Sequence, residues 1–223
     1  MCGMPTGVAM RDVRRQLFGA TERVLLRDGP NALTSRAVTA EAGCAKGVLH
    51  RHFADFDEFL AELVRDRIAR MDGQASALRG SAGTGTVAGN LSAALTALFE
   101  PVAVAVVALV TSRDGLRARL RTATPAGVPV LAEAAAALAA YLDAERALDR
   151  LAADADVPTL ASTLIGAVHL LFADREGPLP EQAAVHKVVT AVLAGSADTT
   201  GAADTTGAAS SAGTPGPVPR SLP

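Results

Sequence analysis

Tryptophan is absent, tyrosine occurs once, and aromatic residues make up 3% of the 223 positions. A core built from this chain must be aliphatic, and few rings are on hand to stack on a large planar ligand. Cysteine is scarce too. Cys2 and Cys44 have no metal-ligand spacing, so a disulfide scaffold and a metal cluster are excluded and a reducing cytoplasm is expected. The four histidines, His50, His52, His169 and His186, complete no Ser–His–Asp or Cys–His set. His50 and His52 lie two apart, a spacing that does not bring side chains together on a helix. No enzyme and no cofactor are expected. The first ten residues lack the charged start and long apolar stretch of a signal peptide. Strand pairing has no basis either, because the Val-rich run at residues 102–110 has no second candidate beside it.

What the chain does have is alanine, leucine, arginine and glutamate, with 49% hydrophobic residues overall. These are strong helix formers, and the expected fold class is all-α. The net charge of −2 conceals an asymmetry. Residues 11–53 hold eight Lys and Arg against four Asp and Glu, a balance of +4 that leaves −6 for the rest. A basic head on an acidic body suits a protein that meets nucleic acid at one end.

Residues 33–60, LTSRAVTAEAGCAKGVLHRHFADFDEFL, organise the remainder. They predict one helix over residues 35–42 with Val38 and Ala42 inward, a turn at Gly43, and a second helix over residues 45–52 that buries Leu49 and Phe53. Lys46, Gly47, Val48, His50 and Arg51 then point outward. A short helix with a small residue and several cations on its outer face can enter a DNA major groove. An amphipathic helix over residues 11–28 precedes this pair, with Val13, Leu17, Ala20 and Val24 on one stripe and Phe18 and Leu25 beside it. Gly29-Pro30-Asn31 ends that helix.

At these positions the chain resembles the TetR family of one-component transcriptional regulators. The family pattern is roughly T-x-x-x-[IV]-A-x-x-A-G-V-S-x-G-x-[LI]-Y-x-[HY]-F-x-x-K. Thr34, Val38, Ala42, Gly43, Gly47, Leu49, His52 and Phe53 stand in register with it. The departures are Cys44 for Val, Ala45 for the Ser that caps the recognition helix, His50 for Tyr, and Phe56 for a Lys that touches DNA. Losing the Ser acceptor costs about 1 kcal/mol. The resemblance covers about residues 11–70. It implies an N-terminal three-helix helix-turn-helix head and a C-terminal helical domain for ligand binding and dimerisation.

Four segments are expected: a loose leader at 1–10, the DNA-binding head at 11–54, the body at 55–195, and a disordered tail at 196–223 whose Gly, Ala, Ser, Thr and Pro cannot offset their ordering entropy. In the body, a helix opens at Asp55-Phe56-Asp57 and runs to about residue 78, followed by a Gly-rich flexible link at 79–89. Residues 90–110 are almost uncharged but carry Glu100 and Pro101 at their centre. Two buried helices meeting at a kink are expected there, not a membrane span. The basic run at 113–121 reads as a solvated face rather than a second DNA contact. Helices follow over residues 130–151, 159–174 and 181–193. The one at 159–174 carries two apolar stripes and needs cover on both sides. With the last helix it would form half of a four-helix bundle between two subunits, as the family implies.

The function that follows is a sequence-specific regulator, a repressor released from a palindromic DNA operator by an unidentified small molecule. Thr34, Ser35, Arg36, Lys46, His50 and His52 are candidates for backbone contacts. Lys46, Gly47, Val48 and Arg51 are candidates for base reading. Phe99, Glu100, Val106, Leu109, Leu138, Tyr141, His169 and Phe172 are candidate cavity residues, each with an alternative reading as plain core. The competing function is a helical dimerisation module that has lost DNA binding.

Overall fold

The computed structural model describes residues 7–45, 47–121, 127–173 and 177–198. Among these, ten α-helices and one 3₁₀ turn form, and no strand. The head comprises α1 (Gly7–Asp28), the 3₁₀ turn Pro30–Ala32, α2 (Ser35–Glu41) and α3 (Val48–His52). The body comprises α4 (Phe56–Gly80), α5 (Val87–Leu98), α6 (Pro101–Ser112), α7 (Asp114–Leu120), α8 (Pro129–Ala147), α9 (Val157–Phe172) and α10 (Gln182–Asp198).

The outer limits shift from expectation. Helix α1 starts at Gly7, because Val8, Ala9 and Met10 contain no breaker and extend the first turns. Helix α10 continues to Asp198, past the expected tail boundary. The expected disorder at residues 199–223 and the first part of the leader, residues 1–6, lie outside the described residues.

The Gly-rich link at 79–89 is shorter and tighter than its composition suggests. Helix α4 runs through Gly80, and Thr86 caps α5 by accepting the Gly89 N–H at 3.0 Å. The six residues between are held from three directions. Asn90 donates to the Ser81 and Thr84 carbonyls at 3.3 and 2.9 Å. Arg150 donates to the Gly85 carbonyl at 2.6 Å. The Gly83 N–H donates to the Glu145 carboxylate at 3.3 Å. Glu145 is fully buried, so its charge must be compensated locally. It lies 3.2 Å from Arg150 and accepts the Tyr141 hydroxyl hydrogen. Burial and that bond to a carboxylate push the Tyr141 phenol up to about 12.

Helices α5 and α6 meet at 65°, with Pro101 in the first turn of α6, as the Glu100-Pro101 pair predicted. Among the described residues no single helix is long and apolar enough to cross a membrane. Val104, Val106, Leu109 and Val110 of α6 are buried in the core instead. Helix α8 ends at Ala147, short of the expected residue 151, because Asp149 adopts φ 57° and the Arg150 N–H turns back to the Glu145 carbonyl at 3.0 Å. Helix α9 begins two residues early. Asp156 accepts the Thr159 N–H at 3.2 Å, and Pro158 fits the first turn, where its missing N–H costs nothing.

The two apolar stripes of α9 do not face opposite ways. Leu160, Leu164, Ile165, Val168 and Phe172 are all buried within one chain, and Ala167 and Leu171 are half-buried. They form one broad inner face against α8 and α10. What α9 leaves outside is small or polar, Ser162, Thr163 and Gly166, plus Leu170, which is 76% exposed.

Candidate DNA-binding head and body cavity

The head is a packed triangle of helices. Leu17, Phe18, Val38, Leu49 and Phe53 are buried together with Phe59 of α4. Phe59 joins the units, with ring centroids 5.7 Å from Phe18 and 5.0 Å from Phe53, the latter edge-on. Gln16 of α1 donates to the Ala42 carbonyl at 2.7 Å and so ties off the end of α2. The Thr34 hydroxyl caps α2 by accepting the Ala37 N–H at 3.1 Å. Gly43 then turns the chain at φ 65°, a conformation L side chains resist.

Helix α3 is shorter than expected. It begins at Val48, not at residue 45, and its cap is Gly47, which offers no side-chain acceptor. The Val48 N–H donates to the Ala45 carbonyl at 2.9 Å. With alanine at 45 and glycine at 47, nothing in this segment draws the helix further back. Cys44 is half-buried beside it, its thiol 3.6 Å from the Ala42 carbonyl.

The proposed DNA-contact residues distribute unevenly. Thr34, Arg36, Gly47, His50 and Arg51 are exposed, and Ser35 and His52 are half-buried. Val48 is half-buried and packs against the core rather than standing free. Lys46 lies outside the described residues. Three other arginines of the head are engaged, whereas Arg15 of α1 is exposed without an ion pair among the described residues. Arg14 meets Glu62 and lies over the Phe53 ring, Arg23 bonds Glu41 at 2.7 Å, and Arg27 bonds Asp28 and Glu41 at 2.9 Å. Arg36 and Arg51 form no ion pair among the described residues. Part of the basic excess read from the sequence is therefore neutralised inside the fold, and the cations without an ion pair among the described residues include those on the outward sides of α2 and α3.

Three residues after α3, Asp55 caps α4 by accepting the Glu58 N–H at 2.9 Å. Two arginines of the basic run at 113–121 dock on this spot instead of facing solvent, while Arg121 stays exposed as expected. Arg113 bonds Asp57 at 3.1 Å, reaches the Leu33 carbonyl at 3.4 Å and lies over the Phe56 ring, 5.3 Å from its centroid. Arg119 pairs with Asp55 and, at 3.0 Å, with Glu58. Phe56, which departs from the Lys of the family pattern, is thus the seat for Arg113. The Glu58 N–H first, and Arg119 after it, hold the Asp55 carboxyl below its usual 3.8. Arg65 and then Arg119 do the same for Glu58, below 4.5. The corner between α6 and α7 therefore grips the start of α4, next to α3.

Of the expected cavity residues, Leu138 alone lines an apolar cavity in the body. This space of about 60 Å³ lies between α4, α5 and α8, against Ile68, Met71, Leu78, Leu98, Ala134 and Leu138, with Asp72, Gln74 and Glu133 also on its wall. The other expected residues sit elsewhere. Phe99 stacks on Phe172 at 5.7 Å and touches His169 at the same distance. Val106 and Leu109 are core, Tyr141 belongs to the Glu145 network, and Glu100 pairs with Arg67. His169 Nδ1 is buried without a hydrogen-bond partner, and burial pushes its imidazole down toward the neutral form. The spacing of Ile68, Met71 and Leu78 marked an apolar face on α4, but nothing local told that face's cavity from its core.

Residues 17–63 match the model of a family described as bacterial regulatory proteins, tetR family. Solved structures resemble the whole described fold. The fatty acid degradation regulator FadR from Bacillus halodurans aligns with TM-score 0.64 and 18% identity over 82% of this chain and 95% of its own. The transcriptional regulator FadR from Bacillus subtilis, in complex with stearoyl-CoA, gives 0.62 and 15% over 81% and 98%. The multidrug binding protein EbrR, complexed with imidazole, gives 0.56 and 22% over 81% and 94%. No curated protein matches the chain by sequence.

Proposed function

We propose that this chain, a transcriptional regulator of the tetR family by its head and its fold, binds an operator through α2 and α3 and leaves it when a small molecule enters the body. Residues 11–54 act as the head and residues 55–195 as the body. The observation that carries this reading is the pair of unneutralised arginines, Arg36 on α2 and Arg51 on α3, beside exposed His50 and Gly47. The Thr34 hydroxyl, though it caps α2, keeps its hydrogen for a phosphate oxygen, and Ser35, Lys46 and His52 stand near enough in sequence to add backbone contacts. In this reading exposed Arg51 and Gly47 read bases, Lys46 is added from its place in the sequence, and Val48, packed on the core, is left out. A module that had lost DNA binding would have no need of two exposed cations side by side on the helix-turn-helix pair.

Two copies joined through α9 and α10 would carry heads about 34–36 Å apart, the spacing of successive major grooves. The small outer residues of α9 and exposed Leu170 support that face as the one that pairs. The cavity between α4, α5 and α8 is the effector site in this reading. Helix α4 lines it and also carries Asp55 and Asp57, which the α6–α7 corner grips. A ligand that favours one placement of α4 shifts the head by that preference alone. The expected place of action is the cytoplasm.

Operator duplexes recovered by selection from a random pool test this reading by fluorescence anisotropy across salt. Affinity is expected to fall steeply with salt. The R36A and R51A variants are each expected to weaken binding, and each phosphate contact removed lowers the log–log salt slope by about 0.9. Unchanged affinity in the double variant overturns the assignment.

A further inference from the structure

We propose that the effector cavity takes an aliphatic ammonium compound, selected by Asp72 and Glu133. This rests on the reading of that cavity as the effector site. The argument comes from which carboxylates on its two longest walls are satisfied. On α4, Asp57 pairs with Arg113, Glu58 with Arg65 and Arg119, Glu62 with Arg14, and Asp66 with Arg70. On α8, Asp143 pairs with Arg146 and Glu145 with Arg150. Asp72 and Glu133 are the acids on these two helices without an ion-pair partner among the described residues, and both line the cavity. Where the rest of both helices is neutralised by arginine, the charge left over collects at one place.

The remainder of the wall is apolar except Gln74, and no Lys, Arg or His contributes to it. An anionic ligand would meet two like charges and no donor of opposite sign, an arrangement that opposes binding. A cation with an alkyl chain meets both features at once. Its chain contacts Met71, Leu78, Leu98 and Leu138, while its head stays near the two exposed carboxylates. The space of about 60 Å³ is well below the ~150 Å³ that admits benzene in an engineered apolar cavity. A hexyl chain is no smaller than benzene, so only its first carbons enter this space, and the remainder lies along the open mouth of the cavity.

The test uses the full chain and three probes of equal chain length, hexylammonium, 1-hexanol and hexanoate, with calorimetry and melting temperature at fixed ionic strength. Hexylammonium is expected to bind more tightly than hexanol, and hexanoate not to bind. D72N and E133Q, at exposed positions, should each weaken hexylammonium about fivefold, the upper end for an exposed ion pair, and leave hexanol unchanged. A137L, which fills the cavity edge, should abolish binding of both. Equal or tighter binding of hexanoate, or unchanged hexylammonium affinity in the D72N/E133Q double variant or in A137L, overturns the proposal. The DNA arm separates the two ideas. Hexylammonium that binds without altering operator affinity supports the cation site and overturns the effector reading. Hexanol or hexanoate that releases DNA while hexylammonium fails to bind overturns the cation site and keeps the effector reading.

Discussion

Gly43 and Gly47 stand four residues apart on either side of the helix-turn-helix corner, and their backbones make opposite demands. Gly43 sits at φ 65° with open space where a Cβ would go, so its constraint is conformational, not steric. G43A is expected to cost about 1–2 kcal/mol in denaturant unfolding. Gly47 has an ordinary φ of −78° and equally open space. G47A is expected to leave stability unchanged or raise it by about 0.4–1 kcal/mol through the unfolded chain, yet to weaken operator binding by pushing the backbone off the groove. A fall in melting temperature for G47A would mean that the turn before α3 is tighter than described. The glycine pattern was legible in the sequence; which glycine is obligatory for folding was not, because φ is set by the path into α3.

At the level of elements, two joints hold the body together. One is the buried set of Glu145, Tyr141, Arg150 and Asn90 that clamps the loop after α4. Y141F leaves the buried carboxylate one donor short and should cost about 1–3 kcal/mol, read as a lowered denaturation midpoint at unchanged slope. The other joint is the grip of Arg113 and Arg119 on the start of α4. The Asp55 carboxyl is lowered by the Glu58 N–H and Arg119, so its contribution is fully present above pH 3.8 and is lost as the pH falls through the lowered value. D55N keeps a cap but not the charge. Its melting temperature should fall less steeply than that of the parent chain below pH 3.8; parallel acid limbs would show that the ion pair adds nothing. The basic run at 113–121 is legible in the sequence, but what it faces is not. Its acids lie more than fifty positions earlier, and only the packing of α7 on α4 brings them together.

On the scale of the whole molecule, the proposed pairing through the α9–α10 face is what would let two heads act together. L170E places a charge on the most exposed leucine of that face and is expected to convert a dimer to a monomer in light scattering, with helical content by circular dichroism unchanged. A dimer that survives the substitution would move the interface elsewhere. The chain alone determined its helical class, the corner at Pro101, and the turn at Gly43 with Leu49 and Phe53 inward. Each of these is written in neighbouring residues, where spacing and backbone freedom act over one or two turns. Tertiary structure decided the rest. It spent Arg14, Arg23, Arg113 and Arg119 on internal carboxylates and left Arg36 and Arg51 without an ion pair among the described residues. It folded both stripes of α9 into one face, and it opened a cavity beside Leu138 while Phe99 and Phe172 closed on each other. Which charges are neutralised and which apolar faces stay unfilled depends on partners far along the chain, and those distances exist only once the helices have packed.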